Sequence, residues 1–389
     1  MQKIIFIIDR IEGGGAEKQM LKVIELYNIN YEIIVTSLHE PSGEMKTLLS
    51  QSSCEYMSFR FNNLSDKLRI INYLCFIFRI RNYIKKEKVR IVFSYLEWSN
   101  VLNIISNFKL KTRTFLNVRN HLTSQYKDKG KGYYRLSKMI LKYFYNKSEC
   151  IICNSQAIKE DLKENYFIKN KINVFYNIYD LGYMTNKAKE YMDYKFIDEC
   201  HLNAGKVFLT VGRLVSQKNL EQLIITFSDF NRTQYGVNDL LVIVGSGPLE
   251  SKLKHLVKDL SVNVIFIGHI SNPYPLFIKC DYFILNSKFE GFPNVLSEAI
   301  ILNCFPIVVD CFSGPREIIS NFEIIDYKTE LKNVECLKSG ILYKKDDSLA
   351  NINLFESLVL ARVNFYKKTD ITSKLKSESF GKDQWSCLL

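Results

Sequence analysis

Short apolar runs alternate with longer amphipathic stretches along almost the whole chain, and few folds satisfy that alternation. Lys3 to Ile8 has the length and composition of a buried strand, and Gly13-Gly14-Gly15 follows it. From about Ala16 to Tyr27, the residues Met20, Leu21, Ile24 and Leu26 recur at helical spacing. Tyr31–Ser37, Val89–Phe93, Arg113–Val118, Cys150–Asn154 and Ile172–Tyr176 read as further strands. A polar stretch, 177–205, suits an interdomain linker. The series then restarts with Val207–Val211, Leu240–Val244, Asn263–Ile267, Tyr282–Leu285 and Phe305–Val309. Strands that are apolar on both faces and separated by helices build a parallel sheet covered on both sides. The expected class is therefore α/β, as two tandem Rossmann-like doubly wound domains, and 389 residues give each its own core. The segment 321–340 is loosely patterned and receives no assignment.

Charge is unevenly placed. Residues 1–190 carry 31 Lys and Arg against 18 Asp and Glu, a net of +13, whereas residues 191–389 carry 22 against 23, a net of −1. Such asymmetry calls for an anionic partner on the first half: nucleic acid, anionic lipid or a phosphorylated substrate. Leu64 to Lys88 reads as a long basic helix, with Leu68, Ile71, Leu74, Cys75, Phe78 and Tyr83 among Lys67, Arg69, Arg79, Arg81, Lys85 and Lys86. It could lie on an anionic membrane or pack on the core with solvated ends, and the charge of its half-chain favours the membrane.

No uninterrupted apolar run approaches the ~18–20 residues of a spanning helix. Ten cysteines lack framework spacing, and the N-terminus starts directly in a strand without a secretory signal, so reduced thiols and a cytoplasmic location are expected. Cys150-x-x-Cys153 lies inside a strand-like run with no second pair beside it, which argues against a metal or redox site. The absence of G-x-G-x-x-G argues against a dinucleotide fold.

One stretch concentrates chemistry: Phe289-Glu290-Gly291-Phe292-Pro293-Asn294-Val295-Leu296-Ser297-Glu298-Ala299. It follows the strand-like run ending at Leu285, and Pro293 and Asn294 sit where a helix would begin. Free amides and the positive end of the helix dipole suit a phosphate there, and the two acids flank the turn. Arg213 and Lys218 follow the first strand of the second half, where Gly212 allows close approach of backbone. A fork-shaped cation and a compact one together suit a diphosphate. Gly245-Ser246-Gly247-Pro248 forms a tight turn after the next strand.

Glu290 to Glu298 resembles the E-x7-E signature of the retaining, nucleotide-sugar-dependent glycosyltransferases of family 4, which have the GT-B fold. The resemblance extends to Gly13-Gly14-Gly15-Ala16-Glu17, to Val211-Gly212-Arg213-Leu214 with Gln217-Lys218-Asn219, and to Val244-Gly245-Ser246-Gly247-Pro248, so it covers nearly the whole chain. It implies an acceptor-binding domain over 1–190, a nucleotide-sugar-binding domain over 191–369 and a terminal helix, 370–389, returning to the first domain, with substrates in a central cleft. By the same resemblance Arg213 and Lys218 hold the donor diphosphate, Glu298 the ribose, and Glu290 the transferred sugar. Backbone at Gly291, Phe292, Pro293, Asn294 and Val295 touches phosphate or sugar, and Gly14, Gly15 and Gly212 let the chain pass close to the donor. Gly245 and Gly247 either meet the nucleotide or only form the turn. Relatives place Ser-Glu-His or Ser-Glu-Arg-Asn at the end of the strand before Arg119; here Arg119 and Asn120 take those places, with His121 one residue later, so either Arg119 or His121 is the acceptor-side group.

The implied activity is transfer of a sugar from a UDP-linked donor, without metal or other cofactor, to a polyprenyl-diphosphate-linked glycan. Such acceptors serve bacterial surface polysaccharides: O-antigen, capsule or exopolysaccharide. The enzyme would sit peripherally on the anionic inner face of the plasma membrane. Two rivals are a GT-B nucleotide-sugar epimerase and a basic nucleic-acid-binding protein; the latter leaves Glu290 and Glu298 unexplained, and nucleic acid is not expected as a partner.

Overall fold

The computed structural model describes residues 1–389 except 42–45, 47–48, 51, 60–68, 312, 324–328, 330, 338, 349–350 and 365–372. The chain divides into two compact units, Met1–Ile178 with Gly381–Leu389, and Tyr179–Phe380.

The first unit is a seven-stranded sheet of β1 (Gln2–Ile8), β2 (Tyr31–Ser37), β3 (Glu55–Tyr56), β4 (Ile91–Tyr95), β5 (Arg113–Val118), β6 (Cys150–Cys153) and β7 (Ile172–Val174). Every pairing is parallel and the spatial order is β3-β2-β1-β4-β5-β6-β7. That is the doubly wound order, which reverses direction between β1 and β4. Alternate residues enter different cores, as the period of a strand requires. Ile4, Phe6 and Ile8 pack with helix Gly15–Tyr27 and with Trp385 on one face of the sheet. Ile5, Ile7 and Val92, then Leu116, Val118 and Ile151, face the helices Arg69–Lys86, Glu97–Ser106 and Lys131–Tyr145 on the other. Phe6, Phe93 and Phe115 stand in register on adjacent strands and stack at 5.0 and 4.8 Å.

The second unit repeats the plan with β8 (Val207–Val211), β9 (Leu240–Val244), β10 (Val264–Gly268), β11 (Tyr282–Leu285), β12 (Phe305–Val309), β13 (Val334–Leu337) and β14 (Gly340–Tyr343). Their order is β10-β9-β8-β11-β12-β14-β13, parallel except for the edge hairpin β13–β14, and the reversal falls between β8 and β11. The loosely patterned stretch 321–340 supplies one strand of that hairpin.

Three expectations change. The polar stretch 177–205 is not a linker throughout: Leu181–Ala188 packs on Tyr274–Lys279 and Lys195–Leu202 on β8, so the second unit begins at Tyr179 instead of 191. At the other end, Lys374–Lys376 packs on helix Asn294–Ile301 and Phe380 on Phe322, so only Gly381–Leu389, not all of 370–389, belongs to the first unit. The basic helix starts, among the described residues, at Arg69; Leu64, Lys67 and Leu68 lie outside them. In it Phe76, Ile80 and Ile84 enter the core, whereas Ile71, Leu74 and Phe78 face outward. Arg81 donates to the carbonyls of Ser106 and Phe108.

Candidate functional site

In an open α/β sheet, a crevice opens at the carboxyl ends of the strands where the strand order reverses. In the second unit that point lies between β8 and β11, and the loops following those strands carry the expected donor-binding residues. Leaving β8, the chain passes Gly212 and Arg213 and tightens into a single 3-10 turn, Ser216–Lys218. Asn219, in the left-handed region at φ 51°, then starts helix Leu220–Asn231. Across the reversal, the loop after β11 runs from Asn286 to Pro293, which caps helix Asn294–Ile301.

The two loops meet at one ion pair: Lys218 Nζ donates to Glu290 Oε1 at 2.6 Å. Gln217 holds the same loop in place, donating from Nε2 to the carbonyl of Phe289 at 2.9 Å and accepting the Lys288 amide on its own carbonyl at 2.8 Å. An ammonium group has three protons, so two remain for oxygens other than those of Glu290. Arg213 is exposed and makes no side-chain hydrogen bond or ion pair among the described residues.

Gly245 and Gly247 earn their place by packing. Gly245 has φ +133°, and a Cβ there would stand 1.9 Å from the carbonyl oxygen of Gly212. A Cβ on Gly247 would stand 2.6 Å from that of Leu214. The turn after β9 is thus pressed against the loop after β8, and the Leu214 amide donates to the Ser246 carbonyl at 2.9 Å. Gly212 has its own neighbour, since a Cβ there would meet Lys218 Cε at 3.0 Å.

Glu298 is the fifth residue of helix Asn294–Ile301 and is half-buried. Burial, and next the charge of Glu298, push the phenol of Tyr274 up. Phe292 is buried and stacks on Phe322 at 6.1 Å. Asn294 Oδ1 accepts the hydroxyl of Tyr179 at 3.1 Å.

Sequence reasoning missed the third support of this loop. Ser313 Oγ donates to the Glu290 carbonyl at 2.8 Å and the Gly314 amide to the Gly291 carbonyl at 2.8 Å. A Cβ on Gly314 would stand 2.2 Å from that carbonyl oxygen. The signal was present as Ser313-Gly314-Pro315, small residues after a strand with Pro opening a helix. Beneath the site, Asn286 is buried and donates to the Asn219 carbonyl and the Gln222 side chain, each at 3.1 Å, while accepting the Tyr343 hydroxyl at 2.7 Å. These bonds tie β11, β14 and helix Leu220–Asn231 below the pair.

In the first unit, Gly13 has φ +88° and Gly14 caps helix Gly15–Tyr27, with the Gly14 amide donating to the Glu17 carboxylate. Arg119 does not reach outward from the end of β5. It is buried, its guanidinium lies 5.1 Å from the centre of the Tyr95 ring and 5.8 Å from that of Trp385, and it donates to Asn177 Oδ1 at 3.0 Å. Its bulk and charge are thus packed among Tyr95, Trp385 and Asn177 in the first unit. His121 caps helix Leu122–Asp128, Nδ1 accepting the Ser124 amide at 3.3 Å and lying 3.8 Å from Asp161 Oδ2. Among the described residues no group of three or more His, Cys, Asp or Glu is placed to hold a metal ion, and no helix is long and apolar enough to cross a membrane.

Comparison with known proteins bears on the family and the fold. Residues 30–183 match the family described as Glycosyltransferase Family 4, and residues 199–350 the one described as Glycosyl transferases group 1. The chain is similar to the N-acetylgalactosamine-N,N'-diacetylbacillosaminyl-diphospho-undecaprenol 4-alpha-N-acetylgalactosaminyltransferase of Campylobacter jejuni, 26% identical over 359 residues, 90% of this chain and 92% of that one. It is 23% identical over 372 residues to the capsular polysaccharide biosynthesis glycosyltransferase CapH of Staphylococcus aureus, 92% of this chain and 95% of that one. Among solved structures, Anabaena HepE in complex with UDP-glucose superposes with a TM-score of 0.69 at 16% identity, over 99% of this chain and 96% of that one. That likeness is one of fold, and the fold is GT-B.

Proposed function

We propose that this chain, which belongs to glycosyltransferase family 4 and is a glycosyltransferase, takes its sugar from UDP and passes it, with retention of configuration, to a glycan carried on polyprenyl diphosphate. The observation that carries the reading is the Lys218–Glu290 pair at the reversal point of the second sheet. It sets a cation for a diphosphate against a carboxylate for sugar hydroxyls. Support for the donor comes from the UDP-glucose in the Anabaena structure, and for the acceptor from the diphospho-undecaprenol in the Campylobacter enzyme's name.

In this reading the bond between the sugar's anomeric carbon and the UDP β-phosphate oxygen breaks while a bond to an acceptor hydroxyl oxygen forms. The hydroxyl proton leaves with the phosphate. Negative charge grows on the diphosphate, and Arg213, the spare protons of Lys218 and the first amides of helix Asn294–Ile301 stabilise it more as it develops than in the bound ground state. We assign the charge relief to these groups without a metal ion. Glu298 takes the ribose hydroxyls and Glu290 those of the sugar, held in place by Lys218. In the first unit Gly14, Gly15 and His121 are the groups offered to donor and acceptor. The product would enter a bacterial surface polysaccharide, and the enzyme would work peripherally on the cytoplasmic face of the membrane.

The test is a thermal-shift screen against UDP-, GDP- and CMP-sugars, since a bound donor raises apparent stability with concentration relative to Kd. Transfer onto a polyprenyl-diphosphate glycan follows, with the anomeric configuration read by NMR. A shift with GDP- or CMP-sugars alone, or an inverted product, overturns the donor or the stereochemical assignment respectively.

A further inference from the structure

Helix Lys131–Tyr145 of the first unit has a face that neither the transfer chemistry nor the core explains. At 3.6 residues per turn, Tyr134, Leu141 and Tyr145 share one side, and these pack into the core beneath. The opposite side of a surface helix is ordinarily polar. Here it presents Leu136, Met139 and Tyr143, which are 60%, 71% and 60% exposed. Arg135, Lys138 and Lys142 run along the flank between the two sides. Residues 129–148 hold six Lys and Arg and no Asp or Glu.

Aromatic rings and lysines cluster at the same place. Lys147 Nζ lies 3.7 Å from the centre of the Tyr143 ring and 5.4 Å from that of Phe108. Lys138 and Lys142 stand 4.8 and 5.0 Å from that of Phe167. Phe108 and Phe167 are both exposed. Beside the stripe, Leu136, Tyr133 and Ile140 form one wall of an apolar pocket whose other wall is Trp98 and Val101, so apolar surface continues inward. The outward stripe Ile71, Leu74 and Phe78 belongs to a helix covering the same face of the sheet.

We propose that helix Lys131–Tyr145 docks this protein on an anionic lipid bilayer. Leu136, Met139 and Tyr143 enter the interface, and Arg135, Lys138, Lys142 and Lys147 meet the headgroups. The composition is that of a helix lying in the plane of an interface, apolar on one side and basic along its edge. A second copy of this chain is the poorer occupant, because a two-fold contact would set the same cationic surface against itself. The proposal rests on the lipid-borne acceptor of the proposed function for its purpose, while the docking can be measured without it.

The sequence contains two tryptophans, and only Trp98, half exposed at the rim of the pocket, can report contact with lipid; Trp385 is buried. Full-length protein is mixed with phosphatidylcholine vesicles with and without phosphatidylglycerol, and with vesicles bearing brominated chains. We expect sedimentation with the anionic vesicles only, weakening with salt, and quenching of Trp98 that Trp98→Phe abolishes. Neutralising Lys138, Lys142 and Lys147 together to Gln should lower partitioning about a hundredfold, at about fivefold per charge. Leu136→Ser/Met139→Ser/Tyr143→Ser should remove the quenching.

Binding that ignores lipid charge, binding without quenching of Trp98, or binding that survives both sets of changes overturns the proposal. So does a dimer in gel filtration that the serine set dissolves while vesicle binding is absent. The donor shift is measured on the same samples. Protein that takes a UDP-sugar but ignores vesicles refutes this inference alone, and protein that binds vesicles but no donor refutes the transfer reading alone.

Discussion

Removing either member of the Lys218–Glu290 pair tests both the architecture and the chemistry of the site. The charges are 2.6 Å apart with side chains only 19% and 9% exposed. At an effective dielectric of about 20 the bare attraction would be about 6 kcal/mol. Desolvation of both ions and the residual water around Lys218 offset most of it. What survives is the worth of a hydrogen bond between charged groups, roughly 1.5–3 kcal/mol. Lys218→Met strands the Glu290 carboxylate and should lower the apparent Tm of the second unit by about 3–12 °C, at roughly 2–4 °C per kcal/mol for a unit of this size. Glu290→Gln strands the ammonium less severely, because Lys218 is the more exposed partner. The double variant should recover the coupling, so the cycle Lys218→Met, Glu290→Gln and both together returns roughly 1.5–3 kcal/mol by denaturant titration. On activity the two singles should differ. Lys218→Met should cut kcat/KM by roughly tenfold to a thousandfold, about 1.4–4 kcal/mol of stabilisation lost where charge develops, whereas Glu290→Gln should impair transfer and spare affinity for UDP itself. A coupling below about 0.5 kcal/mol, or near-normal turnover in Lys218→Met, would refute the reasoning.

Arg213→Ala should leave stability within about 0.5 kcal/mol, since the side chain is exposed, yet lower kcat/KM by at least roughly tenfold; unchanged steady-state kinetics would remove it from the site. Glu298→Gln should weaken UDP by roughly tenfold, about 1.4 kcal/mol, and equal loss of UDP affinity in Glu290→Gln would erase the distinction between the two acids. Arg119→Met should cost about 1–3 kcal/mol through the lost bond to Asn177 and the lost charge over Tyr95 and Trp385, with the donor shift in the thermal assay unchanged. Burial in the pocket lifts the Glu97 carboxyl above its ordinary value of 4.5, opposed by its own backbone and Lys129 and assisted by Asp9. The folded state then binds that proton more tightly than the unfolded one, so stability is lost as pH rises from about 4.5 through the raised value. Glu97→Gln should flatten the Tm profile between pH 4 and 8 and surpass the parent at pH 8; parallel profiles would show that the acid is solvated.

The strands were readable because burial on both faces makes them apolar without interruption. Tyr31–Ser37, Arg113–Val118, Val207–Val211, Leu240–Val244, Tyr282–Leu285 and Phe305–Val309 stand where periodicity put them. Glu290 and Lys218 were singled out by their Gly- and Pro-bearing loops and by the family resemblance, but their contact was not legible, because it joins residues 72 positions apart. The glycines at 245 and 247 looked equally suited to ligand or turn; only the carbonyls pressed against them reveal a packing constraint. The burial of Arg119 was not legible, because a charged residue ending a strand ordinarily faces solvent, and its partners Asn177 and Trp385 come from remote parts of the chain. The short helices Leu181–Ala188 and Lys195–Leu202 were hidden in polar composition, with few apolar positions to set a period. The exposed stripe of Lys131–Tyr145 escaped notice for the opposite reason. Apolar residues on both sides of a helix read as burial until the structure shows which side is covered.

Trp385 sits in the core of the first unit, donating from Nε1 to the Tyr176 carbonyl and accepting the Tyr27 hydroxyl on its own carbonyl. The plug that closes this core is thus translated after the entire second unit. A ribosome adding about 5–20 residues per second needs roughly ten to forty seconds to cover the intervening two hundred. Through that interval Ile4, Phe6 and Ile24 lack one of their neighbours, and the buried guanidinium of Arg119 lacks one of its two aromatic walls. The half made first is therefore the half finished last. Until Trp385 is made, that seam leaves apolar surface open, and such surface is where a nascent chain aggregates.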